Sequence, residues 1–382
     1  MHIAYVFGGA ERTTANLLQY LDRRKIRRIT LAAPGVLRHL LPQQYDDFRD
    51  ASAYGLTGGF EDGRKLLADG RRTAVLLREV KPDVALGMMH YPSALVALGR
   101  RSGGGRVKIV ASFRGPFYEY MRHHERGFQR RLFLRTAVMG TALLADRIIV
   151  PSHGTADELR RRFFTPSRRI AVIPNGIDLD VATRAAQAEI PELADLDRNE
   201  TPVLCAMARL APEKDLGLLL EAFRRIRAAR PAVLLILGDG PERAALEAQI
   251  AAWGLAGAVR FLGHRDNVYP YLRRADVFIH TCQFEGFGYT MLEALACGTA
   301  VVATDCPYGP REVLGGGDHG VLTPPNDPAA LAAAVLRLLA DPTGRRALTA
   351  RGLERARELS VQRMASAYEA ELMKLNSTKR EH

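Results

Sequence analysis

The stretch FIHTCQFEGFGYTMLEALACGTAVVATD, residues 278–305, reads as strand, glycine-rich loop, helix and second strand. Val277–Thr281 and Ala300–Thr304 are short apolar runs, and the residues between them carry Gly286 and Gly288 followed by a helical pattern. A strand joined through a helix to the next strand is the βαβ unit of a parallel sheet. Two carboxylates stand within it. Glu285 falls in the loop, and Glu293 falls in the second turn of the helix, on the face that Tyr289 shares at i, i+4.

The same alternation runs outward in both directions. Strands are expected at His2–Phe7, Ile29–Ala33, Val84–Met88, Val107–Phe113, Arg147–Pro151 and Ile170–Pro174. They are expected again at Val203–Ala208, Val233–Gly238, Val259–Leu262, Val277–Thr281, Ala300–Thr304 and Gly320–Leu322. Helical stretches such as Asp215–Ala229, Glu242–Trp253 and Pro328–Leu339 lie between them. Strand–helix alternation given twice means two Rossmann-like, parallel-sheet α/β domains, and 382 residues exceed one ordinary core. The expected division is an N-terminal domain at 1–180, a linker at 181–200 and a C-terminal domain at 201–360. The boundary is placed just before or within the polar stretch AAQAEIPELADLDRNETP, 185–202. A terminal helix and tail at 361–382 would cross back to the first domain.

Hydrophobic content of 47% and charged content of 25% are those of a globular chain rather than a disordered one. No apolar stretch approaches the roughly 20 residues that span a bilayer. The start MHIAYVFGGAER lacks the basic residues and long apolar core of a secretion signal, so a cytoplasmic location is expected. Cys205, Cys282, Cys297 and Cys306 form no C-x-x-C pair and no ligand-like cluster with histidine, which reads as reduced, buried thiols and no metal. Charge is uneven. Residues 1–180 carry 30 Lys and Arg against 17 Asp and Glu, a balance of +13, whereas the remainder carries 24 against 25. A field confined to one half suggests an anionic membrane, a phosphorylated acceptor or a nucleic acid; arginine-rich composition alone is the other reading. No nucleic-acid module is recognisable and stacking aromatics do not accompany the charge, so nucleic acid is not expected.

In open α/β sheets ligands sit beyond the carboxyl ends of the strands. FGGAER, 7–12, follows the first strand; Gly8 and Gly9 permit close backbone approach, and the helix beginning near Glu11 offers N–H groups to an anion. ARLAPEKD, 208–215, places Arg209 and Lys214 on one loop, a planar fork and a point charge suited to phosphate oxygens. LGDGPER, 237–243, is a strand, a glycine turn and a helix start, and lacks the three spaced glycines of a dinucleotide fingerprint. At 285–293 the glycines open the backbone at a helix N-terminus, which favours a phosphate, with a carboxylate on either side to accept hydroxyl hydrogens. A nucleotide diphosphate sugar fits that set.

With these residues in place the chain resembles glycosyltransferase family 4, the retaining glycosyltransferases of GT-B fold, over nearly its whole length. The resemblance is carried by GGAER, KPDVA (81–85), VIPNGID (172–178), ARLAPEKD, LGDGPER, VRFLGH (259–264) and EGFGYTMLEALACGTAVVATD, in that order. It implies two Rossmann-like domains facing across a cleft. It implies that Arg209 and Lys214 clamp the donor pyrophosphate, Glu293 binds the ribose, Glu285 the transferred sugar, and Gly9 a phosphate from the first domain. Backbone amides of Phe287, Gly288 and Tyr289 would complete the site, the base would pack near Leu262–Gly263, and Asn175–Asp178 would form the hinge. No metal or other cofactor is implied, because two cations and helix dipoles neutralise the leaving diphosphate; the nucleotide sugar is a co-substrate.

One departure concerns the histidine that many relatives place near the sugar. Here the matching stretch reads VASFRGPFYEY, 110–120, so Arg114, or His90 from MMHYP (88–92), is expected to take that place. TDCPYGPREVL, 304–314, resembles the loop of bacterial hexose and N-acetylhexosamine transferases of lipid-linked glycan assembly; it favours a UDP-sugar and puts Arg311 near the sugar. YEYMRHHERGFQRRLFLRTAVMG, 118–140, joins arginines to an apolar stripe at helical spacing, as on a helix lying at a membrane surface. The resulting expectation is a transferase moving a hexose or N-acetylhexosamine to a glycan or polyprenyl-diphosphate-linked acceptor, peripheral at the inner membrane face. A GT-B epimerase and a non-catalytic nucleotide-sugar-binding subunit are the alternatives.

Overall fold

A computed structural model describes residues 1, 9–56, 58–196 and 201–377. The chain divides into two compact units, Met1–Gly176 with Val361–His382, and Ile177–Ser360. In the first unit β1 (Thr30–Ala33) pairs in parallel with β2 (Asp47–Asp50). Among the described residues a second parallel sheet runs β3 (Val84–Met88), β4 (Lys108–Ser112), β5 (Arg147–Val150) and β6 (Ile170–Val172). The expected strand at 2–7 lies outside the described residues. Its neighbour Met1 donates its amine to Leu86 O at 2.6 Å and accepts from Met88 N at 2.9 Å along the edge of β3.

The second unit holds β7 (Val203–Met207), β8 (Val233–Leu237), β9 (Val259–Gly263), β10 (Val277–His280), β11 (Ala300–Thr304) and β12 (Val321–Thr323). All pair in parallel, in the order β12-β11-β10-β7-β8-β9. β8 and β11 are buried at every position, as expected of central strands covered on both faces. Helices Leu216–Ala229 and Pro328–Ala340 cover one face through Leu219, Phe223, Leu331 and Val335. Helix Tyr289–Ala296 packs Met291, Leu292 and Leu295 into the core on the other. Strand order reverses between β7 and β10, the switch point at which doubly wound sheets bind ligands.

The division falls at Gly176, ahead of the expected linker. Of the stretch at 181–200, residues 181–185 belong to helix Leu179–Ala185, and the polar run after it is held to the second unit. Arg260 there binds Asp195, and Asn267 Nδ2 donates to Ala185 O at 2.8 Å. The terminal helix Val361–Ser377 belongs to the first unit, where Val361, Met364 and Tyr368 pack with Leu17, Val110 and Ile149.

The run at 118–140 is not one helix. It divides into Phe117–His124 and Phe128–Leu144, with Glu125 and Gly127 extended between them.

Candidate active site at the strand switch point

The loop after β7 and the loop after β10 meet at the reversal of strand order. Thr281 Oγ1 donates to Lys214 O at 2.9 Å, and Gln283 N donates to Glu213 O at 2.9 Å, so the loops are bonded at two points. Across this seam Lys214 Nζ donates to Glu285 Oε2 at 2.6 Å, with the two side chains 21% and 19% exposed. Burial alone would lower the lysine pKa, but the Glu285 charge outweighs it and raises it. Burial likewise opposes the Glu285 charge, yet Lys214 holds that carboxyl down at about 2. Both groups therefore stay ionised at neutral pH.

Glu285 is fixed from behind as well. Gly286 N donates to its Oε1 at 3.0 Å. Its own N–H reaches Pro307 O at 3.2 Å, and its carbonyl accepts from Gly309 N at 2.8 Å, so the 305–309 loop runs alongside as a parallel bridge. Gly309 is required there: a Cβ would lie 2.4 Å from Phe287 O. Gly288 caps the following helix at φ 92°, and a Cβ on it would meet Met291 Cε at 2.1 Å. A close backbone approach thus explains Gly309, and a left-handed backbone explains Gly288.

Arg209 and Lys214 do not share one acceptor. Arg209 is 65% exposed and pairs with Glu213, which is buried and was not foreseen as part of the site. Glu293 is 1% exposed on helix Tyr289–Ala296, not on a solvent face. The Phe287 ring is core, 3% exposed, so that residue has only its backbone to offer a ligand. Gly263 ends β9 at φ 70° and accepts from Gly238 N at 2.8 Å. Arg311 is 64% exposed and bound to Asp305.

All four cysteines are free, and Cys205, Cys282 and Cys306 are buried, as expected; the sequence did not show that Cys282 lies beside a histidine. His280, Cys282 and Glu285 bring one ligating atom each to within 4.8 Å of one another. In the sequence His280 looks like part of the apolar β10 run, and only the H-x-C spacing at a strand end hinted at the cluster.

In the first unit Gly8 lies outside the described residues, and Gly9 opens helix Gly9–Tyr20, exposed. His90 opens helix His90–Arg101 behind β3. Its ring stacks on Phe113 at 4.6 Å and lies 4.5 Å from Phe117. Burial holds its pKa at about 3, so the imidazole is neutral, and its Nε2 finds no hydrogen-bond partner among the described residues. Arg114 is committed to protein acceptors: Tyr368 Oη at 2.9 Å, Thr13 Oγ1 at 3.1 Å and Asn175 Oδ1. It braces strand β4, the first helix, the 173–176 segment and the terminal helix of its own unit.

Two family models match: Glycosyltransferase Family 4 over residues 7–181 and Glycosyl transferases group 1 over 193–355. The lipopolysaccharide core biosynthesis glycosyltransferase LpsE of Rhizobium meliloti is 33% identical over 352 residues, 91% of this chain and 90% of that protein. The chain belongs to glycosyltransferase family 4. This glycosyltransferase is also 25% identical over 290 residues to a Campylobacter jejuni protein, N-acetylgalactosamine-N,N'-diacetylbacillosaminyl-diphospho-undecaprenol 4-alpha-N-acetylgalactosaminyltransferase, covering 76% of each chain. Its fold matches that of Anabaena HepE, solved with UDP-glucose, at a TM-score of 0.77 and 20% identity, over 98% of both chains. The architecture is GT-B, and the relatives work in lipopolysaccharide and lipid-linked glycan assembly.

Proposed function

We propose that this glycosyltransferase moves a hexose or N-acetylhexosamine, with retention of configuration, from a UDP-sugar to a glycan or polyprenyl-diphosphate-linked acceptor, without a metal. The observation that carries the reading is the Lys214–Glu285 pair at the strand switch point. A largely buried ammonium beside the helix N-terminus at Gly288 is a preorganised site for the charge that grows on a leaving diphosphate. Lys214 and the exposed Arg209 neutralise that diphosphate, with the Phe287–Tyr289 amides. Glu285 accepts from a hydroxyl of the transferred sugar, Glu293 from the ribose, and the base lies by Gly263. Arg311 reaches the sugar by exchanging Asp305 for it. Gly9 and the neutral His90 are the first unit's substrate contacts, and Arg114 holds that unit's elements in register. The UDP-glucose bound to HepE supports the donor, and the diphospho-undecaprenol in the Campylobacter protein's name supports a lipid-linked acceptor.

We propose also that the protein works in the cytoplasm, peripherally at the inner membrane face. Phe128 and Leu132 are 78% and 50% exposed, four apart on one helix face and close to the exposed Arg122, Arg126, Arg131 and Arg135. No helix among the described residues is long and apolar enough to cross a membrane.

A donor screen tests the reaction. Nucleoside diphosphate release is followed with each common nucleotide sugar, with and without EDTA. UDP released from a UDP-hexose or UDP-N-acetylhexosamine, undiminished by EDTA, is the expected result. Release from GDP-sugars alone, or loss in EDTA restored by Mn²⁺, overturns the donor or the metal-free site respectively.

A further inference from the structure

We propose that His280, Cys282 and Glu285 form a site for a thiophilic divalent cation of the Zn²⁺ class, which occupies the seam in exchange for the Lys214 ammonium. The inference goes beyond the donor reading and does not rest on it. His280 is 4% exposed, and its Nε2 has no hydrogen-bond partner among the described residues while lying 3.8 Å from Glu285 Oε2. A buried imidazole nitrogen without a partner is costly to keep, which favours a ligand that supplies one. Cys282 is 2% exposed, and its Sγ lies 3.8 Å from Lys214 Nζ. Nitrogen, sulfur and carboxylate oxygen are the donor set of borderline-soft metals and leave a fourth tetrahedral position for water.

Geometry and charge both allow the exchange. Zinc bonds of about 2.0–2.3 Å set ligand atoms roughly 3.3–3.7 Å apart. The His280–Glu285 separation of 3.8 Å is near that, and the whole set lies within 4.8 Å. Lys214 and Glu285 are each about one-fifth exposed, so an ion has a way in and the flexible ammonium a way out. In the occupied site dication, thiolate and carboxylate sum to zero, which a buried site requires. Such an ion would separate Lys214 from Glu285.

The test is Cd²⁺ titration of the full-length protein in chelator-free buffer, reading thiolate-to-metal ultraviolet absorbance, with Zn²⁺ as competitor. One equivalent per chain is expected. Cys282→Ser should abolish that equivalent, and His280→Ala should weaken it tenfold or more. Lys214→Ala removes the competing cation and should tighten it at least tenfold, an opposite sign that misfolding does not produce. An equivalent that survives Cys282→Ser assigns the metal to Cys205, Cys297 or Cys306 and overturns the site. Unchanged or weaker binding in Lys214→Ala overturns the exchange. Because the readout is absorbance, a wrong donor assignment leaves these outcomes unaffected.

Discussion

In the Ile177–Ser360 unit, Lys214 and Glu285 keep opposite charges while largely buried; in the other unit His90, also placed just past a strand end, is held neutral. The first unit instead displays its charge outside, on arginines set beside exposed Phe128 and Leu132. The difference is one of range. A buried pair acts over a few ångströms and is little affected by salt, whereas exposed charges act on a surface and are screened within about 10 Å at 0.1 M salt. The proposed function uses both ranges: a small anion gripped in a fixed place by one unit, and an extended anionic surface drawn to the other.

The largest expected effect breaks the buried pair. Lys214→Ala should lower turnover by at least about 10²-fold, the scale of losing one preorganised electrostatic stabiliser. Arg209→Ala should also lower it, but by less at high salt, because Arg209 is 65% exposed. Steady-state rates at low and high salt separate the two. Wild-type rates in both variants would remove the assignment of the diphosphate clamp to this loop.

Within the same seam the two glutamates should fail differently. Glu285→Ala is expected to reduce kcat by tens-fold or more with UDP affinity nearly kept, while Glu293→Ala is expected to weaken UDP binding about tenfold. Calorimetric titration with UDP decides it: normal affinity in both variants would end the ribose assignment of Glu293.

How far the sequence reaches differs between the units for physical reasons. β7 to β12 were legible to within a residue or two at each end: the inner strands β7, β8, β10 and β11 are continuous apolar runs, and the edge strands β9 and β12 follow from the same strand–helix alternation. β2 was not, because Asp47, Phe48, Arg49 and Asp50 are all half-exposed and, among the described residues, the strand pairs only with β1. Arg209, Lys214 and Glu285 stand out in the sequence from their place at strand ends, and the structure sets all three in the loops that meet at the seam. Glu213 and His280 were missed, because the first looked like a solvated loop residue and the second like strand core. The break at 125–127 was missed because an arginine-rich pattern continues at helical spacing on both sides of it.

The exposed half of the comparison is sharpened by vesicle sedimentation. Binding should rise with anionic lipid and fall with salt, each basic residue near the surface contributing about 1 kcal/mol. Arg130 and Arg131 are unsuitable probes, since both donate to backbone carbonyls of their own unit. Phe128→Glu with Arg126→Glu removes apolar and positive surface without touching those bonds, and should reduce binding tenfold or more while donor hydrolysis persists. Equal, negligible binding of wild type to neutral and anionic vesicles at low salt would favour a soluble acceptor.

The smallest effect concerns the neutral side of the comparison. Burial holds His90 at about 3 against an ordinary 6.5. Below pH 6.5 the unfolded chain takes up a proton there that the folded chain refuses, so folding weakens as pH falls from 6.5 towards 3, by at most about 1.4 kcal/mol per pH unit. Glu285 runs later. Its folded value near 2 lies below the ordinary 4.5, so its contribution is present above 4.5 and lost only as pH falls through about 2. Lys214, raised above 10.5, contributes fully below that value. Between pH 7.5 and 5 the ion pair is therefore silent and His90 is not. His90→Phe keeps a ring of similar size against Phe113 and Phe117 while removing the proton site. Its melting temperature should drop less than that of wild type on going from pH 7.5 to 5. Equal drops would mean that the imidazole is protonated in the folded chain, and the neutral acceptor proposed for the first unit would then be a cation.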